Sequence, residues 1–139
     1  MALKTYTGSC HCGAVRFAAD IDLAAGSNRC NCSICTKARA WFMLVPMNRF
    51  RLLAGADAQT EYHWLPPGRN AANLHFYFCK TCGIRMPGRG EHGPAGGPFY
   101  FVPVASLDDV DPEELAGKIR YLDGRHDRYD RPPADTRLL

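Results

Sequence analysis

Cys10-His11-Cys12-Gly13-Ala14-Val15-Arg16-Phe17 and, far downstream, Cys79-Lys80-Thr81-Cys82-Gly83-Ile84-Arg85-Met86 share one pattern: two cysteines, a glycine, then apolar residues around an arginine. Each reads as a knuckle, a tight turn folded around a metal-bound sulfur, with the glycine free to take positive φ and the residues after it leaving as a strand. Cys10, Cys12, Cys79 and Cys82 are therefore assigned to one closed site that pins two distant turns together. Of the seven cysteines, Cys30, Cys32 and Cys35 remain, in a Cys-x-Cys-x-x-Cys run that a single turn-plus-helix segment can wrap around one metal. Closed four-ligand zinc sites are structural, whereas three protein ligands leave a position for water or substrate. The expectation is two zinc ions per chain, one of each kind.

Other readings of the cysteines compete with zinc. Disulfides need pairs, seven is odd, and Cys-x-Cys partners close a very short, strained ring. Iron–sulfur clusters also use thiolates, but the glycine-flanked knuckles look more like a zinc ribbon than a ferredoxin run. A group of reduced, partly buried thiols is the plainest alternative for the triplet.

The chain has 139 residues, 46% hydrophobic and 22% charged, which suits a single domain over 1–139 with an ordinary core. The first residues show no apolar leader and no stretch is long enough for a membrane span, so thiol-rich clusters point to a reducing, cytoplasmic setting. A net charge of +3 with scattered Lys and Arg gives no support to nucleic-acid binding.

The periodicity is mostly that of strands. Val15 and Phe17 alternate with Arg16. Trp41-Phe42-Met43-Leu44-Val45 and Phe50-Arg51-Leu52-Leu53 are apolar runs bounded by Pro46-Met47-Asn48 and Ala54-Gly55, and these read as neighbouring strands. Glu61-Tyr62-His63-Trp64, a turn at Pro66-Pro67-Gly68, and Leu74-His75-Phe76-Tyr77-Phe78 form a hairpin that delivers Cys79 to the metal. A long, mobile loop is expected over 87–98, then a buried strand from Phe99. Helix is confined to 32–40 and to a start at Asp111, an N-cap followed by Pro112 and two acids. Residues 123–139 read as a polar surface tail.

Three thiolates on Zn²⁺ leave a net charge of −1, so such a site is a weak generator of hydroxide and a better holder of a substrate thiol as thiolate. Arg29, Lys37 and Arg39 flank the triplet and can offset that charge or hold an anionic substrate. His11, His63, His75 and His126 are the candidate proton carriers. Trp41, Phe42, Phe76, Tyr77 and Phe78 read as core, with some left over to wall a pocket.

These motifs, with Gly8-Ser9 before the first knuckle, Phe78 before the second, and the late Val104-Ala105-Ser106-Leu107-Asp108-Asp109 and Asp123-Gly124-Arg125-His126-Asp127 segments, resemble the glutathione-dependent formaldehyde-activating enzyme family, also called the centromere-protein-V/formaldehyde-activating domain. The resemblance implies a mainly β, β-tent zinc fold with one or two short helices, a structural zinc on the two cysteine pairs and a catalytic zinc on Cys30, Cys32 and Cys35. It also implies a carbon–sulfur lyase of the S-(hydroxymethyl)glutathione synthase type, whose partners are a small thiol such as glutathione and an aldehyde such as formaldehyde, with room for a homo-oligomer. Two further readings stand beside it: a non-catalytic zinc module that binds a protein partner, and a thiol carrier or zinc buffer.

Overall fold

The computed structural model describes residues 2–68, 73–93 and 96–139. β1 (Lys4–Ser9), β2 (Arg16–Ile21) and β5 (Phe50–Ala54) form a three-stranded antiparallel sheet in the order β1-β2-β5. The second sheet has seven strands. They are β3 (Ser27–Cys30), β4 (Trp41–Pro46), β6 (Gln59–Trp64), β7 (Leu74–Cys79), β8 (Arg85–Gly90), β9 (Phe99–Pro103) and β10 (Ile119–Leu122), in the order β10-β3-β4-β9-β8-β7-β6. Among the described residues, only the β10–β3 pairing is parallel. The expected mainly β class is present, with α1 (Ser33–Ala38) as the α-helix among the described residues. None of their helices is long and apolar enough to cross a membrane.

Both sheets feed one buried cluster. Tyr6, Phe17, Ala19 and Ile21 come from the small sheet, and Met43, Val45, Met86 and Val102 from the large one. Phe17 and Val102 are fully buried, each worth about 1.5–3 kcal/mol relative to exposure. The Phe50 ring stacks on Phe17 at 5.6 Å and on Tyr100 at 3.9 Å, joining β2, β5 and β9. Cys10 and Cys79 belong to this same cluster, so the knuckles are anchored at the edge of the core.

Several expectations are corrected. β4 and β5 are not neighbours: a 3-10 turn over Met47–Arg49 carries the chain from the large sheet to the small one, so β5 pairs with β2 and β4 with β3 and β9. The expected loop over 87–98 begins as strand, because Pro87–Gly90 continues β8. Its glycines looked like loop residues, yet a Cβ at Gly88 would stand 2.1 Å from the Phe101 ring and one at Gly90 2.3 Å from that of Phe99. They are small because aromatic rings of β9 lie on them. Pro94 and Ala95, in the remainder of that loop, lie outside the described residues, as does the 69–72 part of the expected β6–β7 hairpin connection. The helix start at Asp111 is a four-residue 3-10 turn, Pro112–Leu115, with a complete capping box to Glu114. The tail beyond Asp123 is mostly exposed, but Asp123 itself is buried and holds the site described next.

Candidate metal centres and substrate groove

The two knuckles are built alike. The Cys10 N–H donates to the Val15 carbonyl at 3.1 Å and the Cys79 N–H to the Ile84 carbonyl at 3.0 Å. Gly13 and Gly83 take φ of 81° and 73°, as the repeat required. Backbone N–H groups point at the sulfurs, from Val15 to Cys10 Sγ at 3.3 Å and from Thr81 to Cys79 Sγ at 3.4 Å. β1 and β2 carry one knuckle and β7 and β8 the other, and the four sulfurs of Cys10, Cys12, Cys79 and Cys82 lie within 4.8 Å of one another.

The donor set fits a tetrahedral dication. Sulfurs on a zinc tetrahedron with Zn–S of about 2.3 Å lie about 3.8 Å apart; Cys12 Sγ is 3.6 Å from both Cys10 Sγ and Cys79 Sγ. The N–H groups of Cys12 and Ile84, foremost among its contacts, lower the Cys82 thiol to about 6. Cys12 is lowered by the Ala14 N–H, but contacts with Cys79 and Cys10 outweigh this and push it up to about 11. Thiols this crowded cannot all ionise without a cation among them.

The triplet sits at the junction of β3 and α1. Cys30 ends β3, Cys32 is the residue before α1, and Cys35 is in its first turns. Their sulfurs also lie within 4.8 Å of one another. Hydrogen bonds from Cys30 and then Cys35 lower Cys32 to about 3. Contact with Cys32 raises Cys30, and contacts with Cys30 and Cys32 together with burial drive Cys35 far up. Both clusters can hold a metal ion, one with four sulfurs and one with three.

The C-terminal segment closes one side of the triplet. β10 pairs with β3 and brings Asp123 and Gly124 over the cysteines. A Cβ on Gly124 would stand 2.5 Å from Cys30 Sγ and 3.2 Å from Cys32 Cβ. Asn31, between Cys30 and Cys32, is the clasp: its Nδ2 donates to Asp123 Oδ1 at 2.9 Å, and its Oδ1 and backbone carbonyl accept from Arg125 at 3.0 and 3.1 Å. Asp123 is also paired with His126 Nδ1 at 2.9 Å. The Asn31 amide, and then His126, hold the Asp123 carboxyl below its ordinary value.

On another side of α1 is a groove of about 390 Å³. Ile34 and Lys37 line it from α1; Tyr62, Phe76 and Phe78 line it from β6 and β7, and Arg85 from β8. Alternation along the strands puts Phe76 and Phe78 on the groove face and His75 and Tyr77 on the other. The Arg85 guanidinium lies 4.5 Å from the centroid of the Phe76 ring. Burial lowers Arg85 from its ordinary value, while negative charge on Cys35 and Cys32 acts in the opposite sense, so this cation is electrostatically coupled to the triplet.

The structure sorts the sequence candidates. Of the flanking cations, Lys37 lines the groove, Arg29 lies over Trp41 at 5.2 Å, and Arg39 is the exposed left-handed residue that ends α1. Of the histidines, His11 is exposed beside the four-cysteine cluster. His63 and His75 stack on each other at 4.8 Å, with His63 hydrogen-bonded to Asn73 and His75 set between Glu61 and Glu91, both at 3.1 Å. His126 alone among these four is linked to the triplet's loop. Arg85, Asn31 and Gly124 were missed as site residues. The signal for Arg85 was in view, as the counterpart of Arg16 in the first knuckle. Only burial separates them, Arg16 being exposed and Arg85 half-buried.

Fold and site together define a small, mainly β protein with two cysteine centres able to hold metal, one joining its two sheets and one beside an aromatic-walled groove. The model of a family described as glutathione-dependent formaldehyde-activating enzyme matches residues 5–121, a span containing all seven cysteines. The chain belongs to that family. A crystal structure of a Rhodobacter sphaeroides protein is similar, with a TM-score of 0.64 and 29% identity over 81% of this chain and 98% of that one.

Proposed function

We propose that the chain works as a single zinc domain in a reducing, cytoplasmic setting, as a carbon–sulfur lyase-type enzyme that joins or separates a small, glutathione-like thiol and an aldehyde such as formaldehyde. Cys10, Cys12, Cys79 and Cys82 hold a structural zinc, and Cys30, Cys32 and Cys35 a catalytic one. The observation that carries this reading is the contrast between four clustered sulfurs tying two turns together and three sulfurs whose helix also lines a groove. A zinc ion with three thiolate donors supplies a place where an added thiol stays ionised at neutral pH.

The protein's own groups do the rest. Ile34 and the aromatic wall set apolar surface beside the triplet on which the stem of a substrate can lie. Arg85 and Lys37 offset the negative charge that accumulates when three or more sulfurs ionise together. In the joining direction the substrate sulfur attacks the aldehyde carbon. A C–S bond forms, the carbonyl π pair moves to oxygen, and that oxygen takes up a proton to complete the hemithioacetal. Holding both reactants side by side is the main source of acceleration. We assign the proton carrier to His126, which Asp123 links to the triplet's loop through Nδ1, leaving Nε2 to exchange.

The test joins metal content and rate. Native mass spectrometry of the purified protein is expected to show two zinc ions per chain. With glutathione and formaldehyde the hemithioacetal should form faster than spontaneously, and Cys32→Ser should abolish the acceleration. Thiol binding without acceleration would favour a carrier, and no thiol binding a non-catalytic module.

A further inference from the structure

Among its described lining residues, the groove beside the triplet contains two cations, Lys37 and Arg85, and no carboxylate. That is an unusual composition for a recess walled by Tyr62, Phe76 and Phe78. Charged groups removed from water are ordinarily paired. Arg85 is half-buried, stands against the face of Phe76, and has no carboxylate partner among the described residues; Lys37 has none either, but is exposed on α1, where a cation needs none, so the charge that calls for a partner is that of Arg85. Elsewhere in the molecule, arginines such as Arg51 and Arg137 do have acidic partners.

A guanidinium over an aromatic ring, 4.5 Å from its centroid, has a fork of N–H donors of the kind that matches a carboxylate. The groove volume of about 390 Å³ lies within the range of small-molecule sites. We infer that Arg85 and Lys37 form an anion subsite that selects thiols carrying their own carboxylate, with the thiol's stem lying on Phe76 and Phe78 and its sulfur directed to the Cys30, Cys32 and Cys35 cluster. The thiol end of this inference rests on the function proposed above; the carboxylate end rests on the groove alone.

Charge makes the inference testable. A three-thiolate zinc site bears a net negative charge, so by itself it disfavours an anionic thiol relative to a neutral one. A preference for the anion therefore requires the two cations. Binding of 3-mercaptopropionate, its neutral methyl ester, and thiol-free 3-(methylthio)propionate would be measured by calorimetry on the metal-loaded protein, with zinc content determined alongside. The unmodified protein is expected to favour the acid over the ester by about tenfold or more, the scale of one hydrogen-bonded charge pair. Arg85→Met should abolish that preference, lowering affinity for the acid by about tenfold more than affinity for the ester, whose smaller loss reflects the missing counter-charge, and keep both zinc ions. Lys37→Met should reduce the preference, and Arg85→Lys should retain part of it.

Equal loss for acid and ester in Arg85→Met, or loss of a zinc ion, would overturn the inference and make Arg85 a counter-charge for the triplet only. Ester binding with no preference for the acid would overturn the subsite and leave the thiol reading standing. Arg85-dependent binding of the two carboxylates without any ester binding would overturn the thiol reading and keep the subsite. No binding of any of the three would overturn both.

Discussion

The four-cysteine cluster and the cysteine triplet use the same ligand but solve different problems. Cys12 and Cys79 are 67 residues apart in sequence and sit on turns from different sheets, so a metal there closes a long loop and ties the small sheet to the large one. The triplet lies within one β3–α1 junction and closes almost no loop. Loop-closure entropy grows with the length closed, which is why the function proposed above gives the first centre to the fold and the second to chemistry. The neighbours agree. Cys10 and Cys79 belong to the buried core, whereas the triplet is flanked by a groove and by a C-terminal segment hydrogen-bonded through Asn31.

The harshest way to break this comparison is to remove one ligand from each centre. Cys82→Ser is expected to destabilise the protein by an amount on the order of the 10 kcal/mol that a structural zinc contributes, leaving no cooperative thermal transition. Cys32→Ser should bind one zinc ion instead of two and shift the melting temperature by only about 5 °C or less. Equal damage from the two substitutions would erase the division between structural and catalytic centres.

A gentler substitution probes the triplet through its cover. Gly124→Ala places a methyl 2.5 Å from Cys30 Sγ, closer than van der Waals contact allows, and the backbone of β10 resists retreat because it is paired to β3. Elemental analysis should show loss of zinc from the triplet with circular dichroism unchanged. Full zinc occupancy would show that the C-terminal segment lies on the site without constraining it.

The smallest effect belongs to a residue that touches neither centre. Tyr6 on β1 donates to Glu114 at 2.8 Å, and burial, followed by that hydrogen bond, pushes its phenol up to about 12. A folded-state value above the unfolded one of about 10 means that the stabilisation is complete below pH 10 and is lost as pH rises from there to about 12. Tyr6→Phe should cost about 1 kcal/mol at neutral pH and remove that part of the alkaline decline. An identical alkaline decline in Tyr6→Phe would assign it to other groups.

Much of the site could be read from the chain because metal ligands come in short, spaced groups. The matched knuckles announced Cys10, Cys12, Cys79 and Cys82, and the glycines after them announced the turns. Arg85 could not be separated from Arg16 in the same way. Both follow a knuckle and both open an inner strand, but Arg85 at the start of β8 enters a groove closed by α1 and β7, while Arg16 opens β2 facing solvent. Gly88 and Gly90 misled in the opposite direction, since glycine marks loops in sequence and in this protein marks where Phe101 and Phe99 need room.

Local chemistry, then, was fixed by the sequence alone: two thiolate sets, the turns that present Cys10 and Cys79, the strand hairpin before Cys79, and α1 carrying Cys35. These depend on residues close in the chain, where spacing determines geometry. What the triplet faces was decided only in three dimensions. β6, β7 and β8 bring the aromatic wall and Arg85 to one side of α1, and the parallel β10 brings Asp123, Gly124 and His126 to another. Strand order and register depend on the burial of one shared core by two sheets, and no short stretch of sequence carries that information.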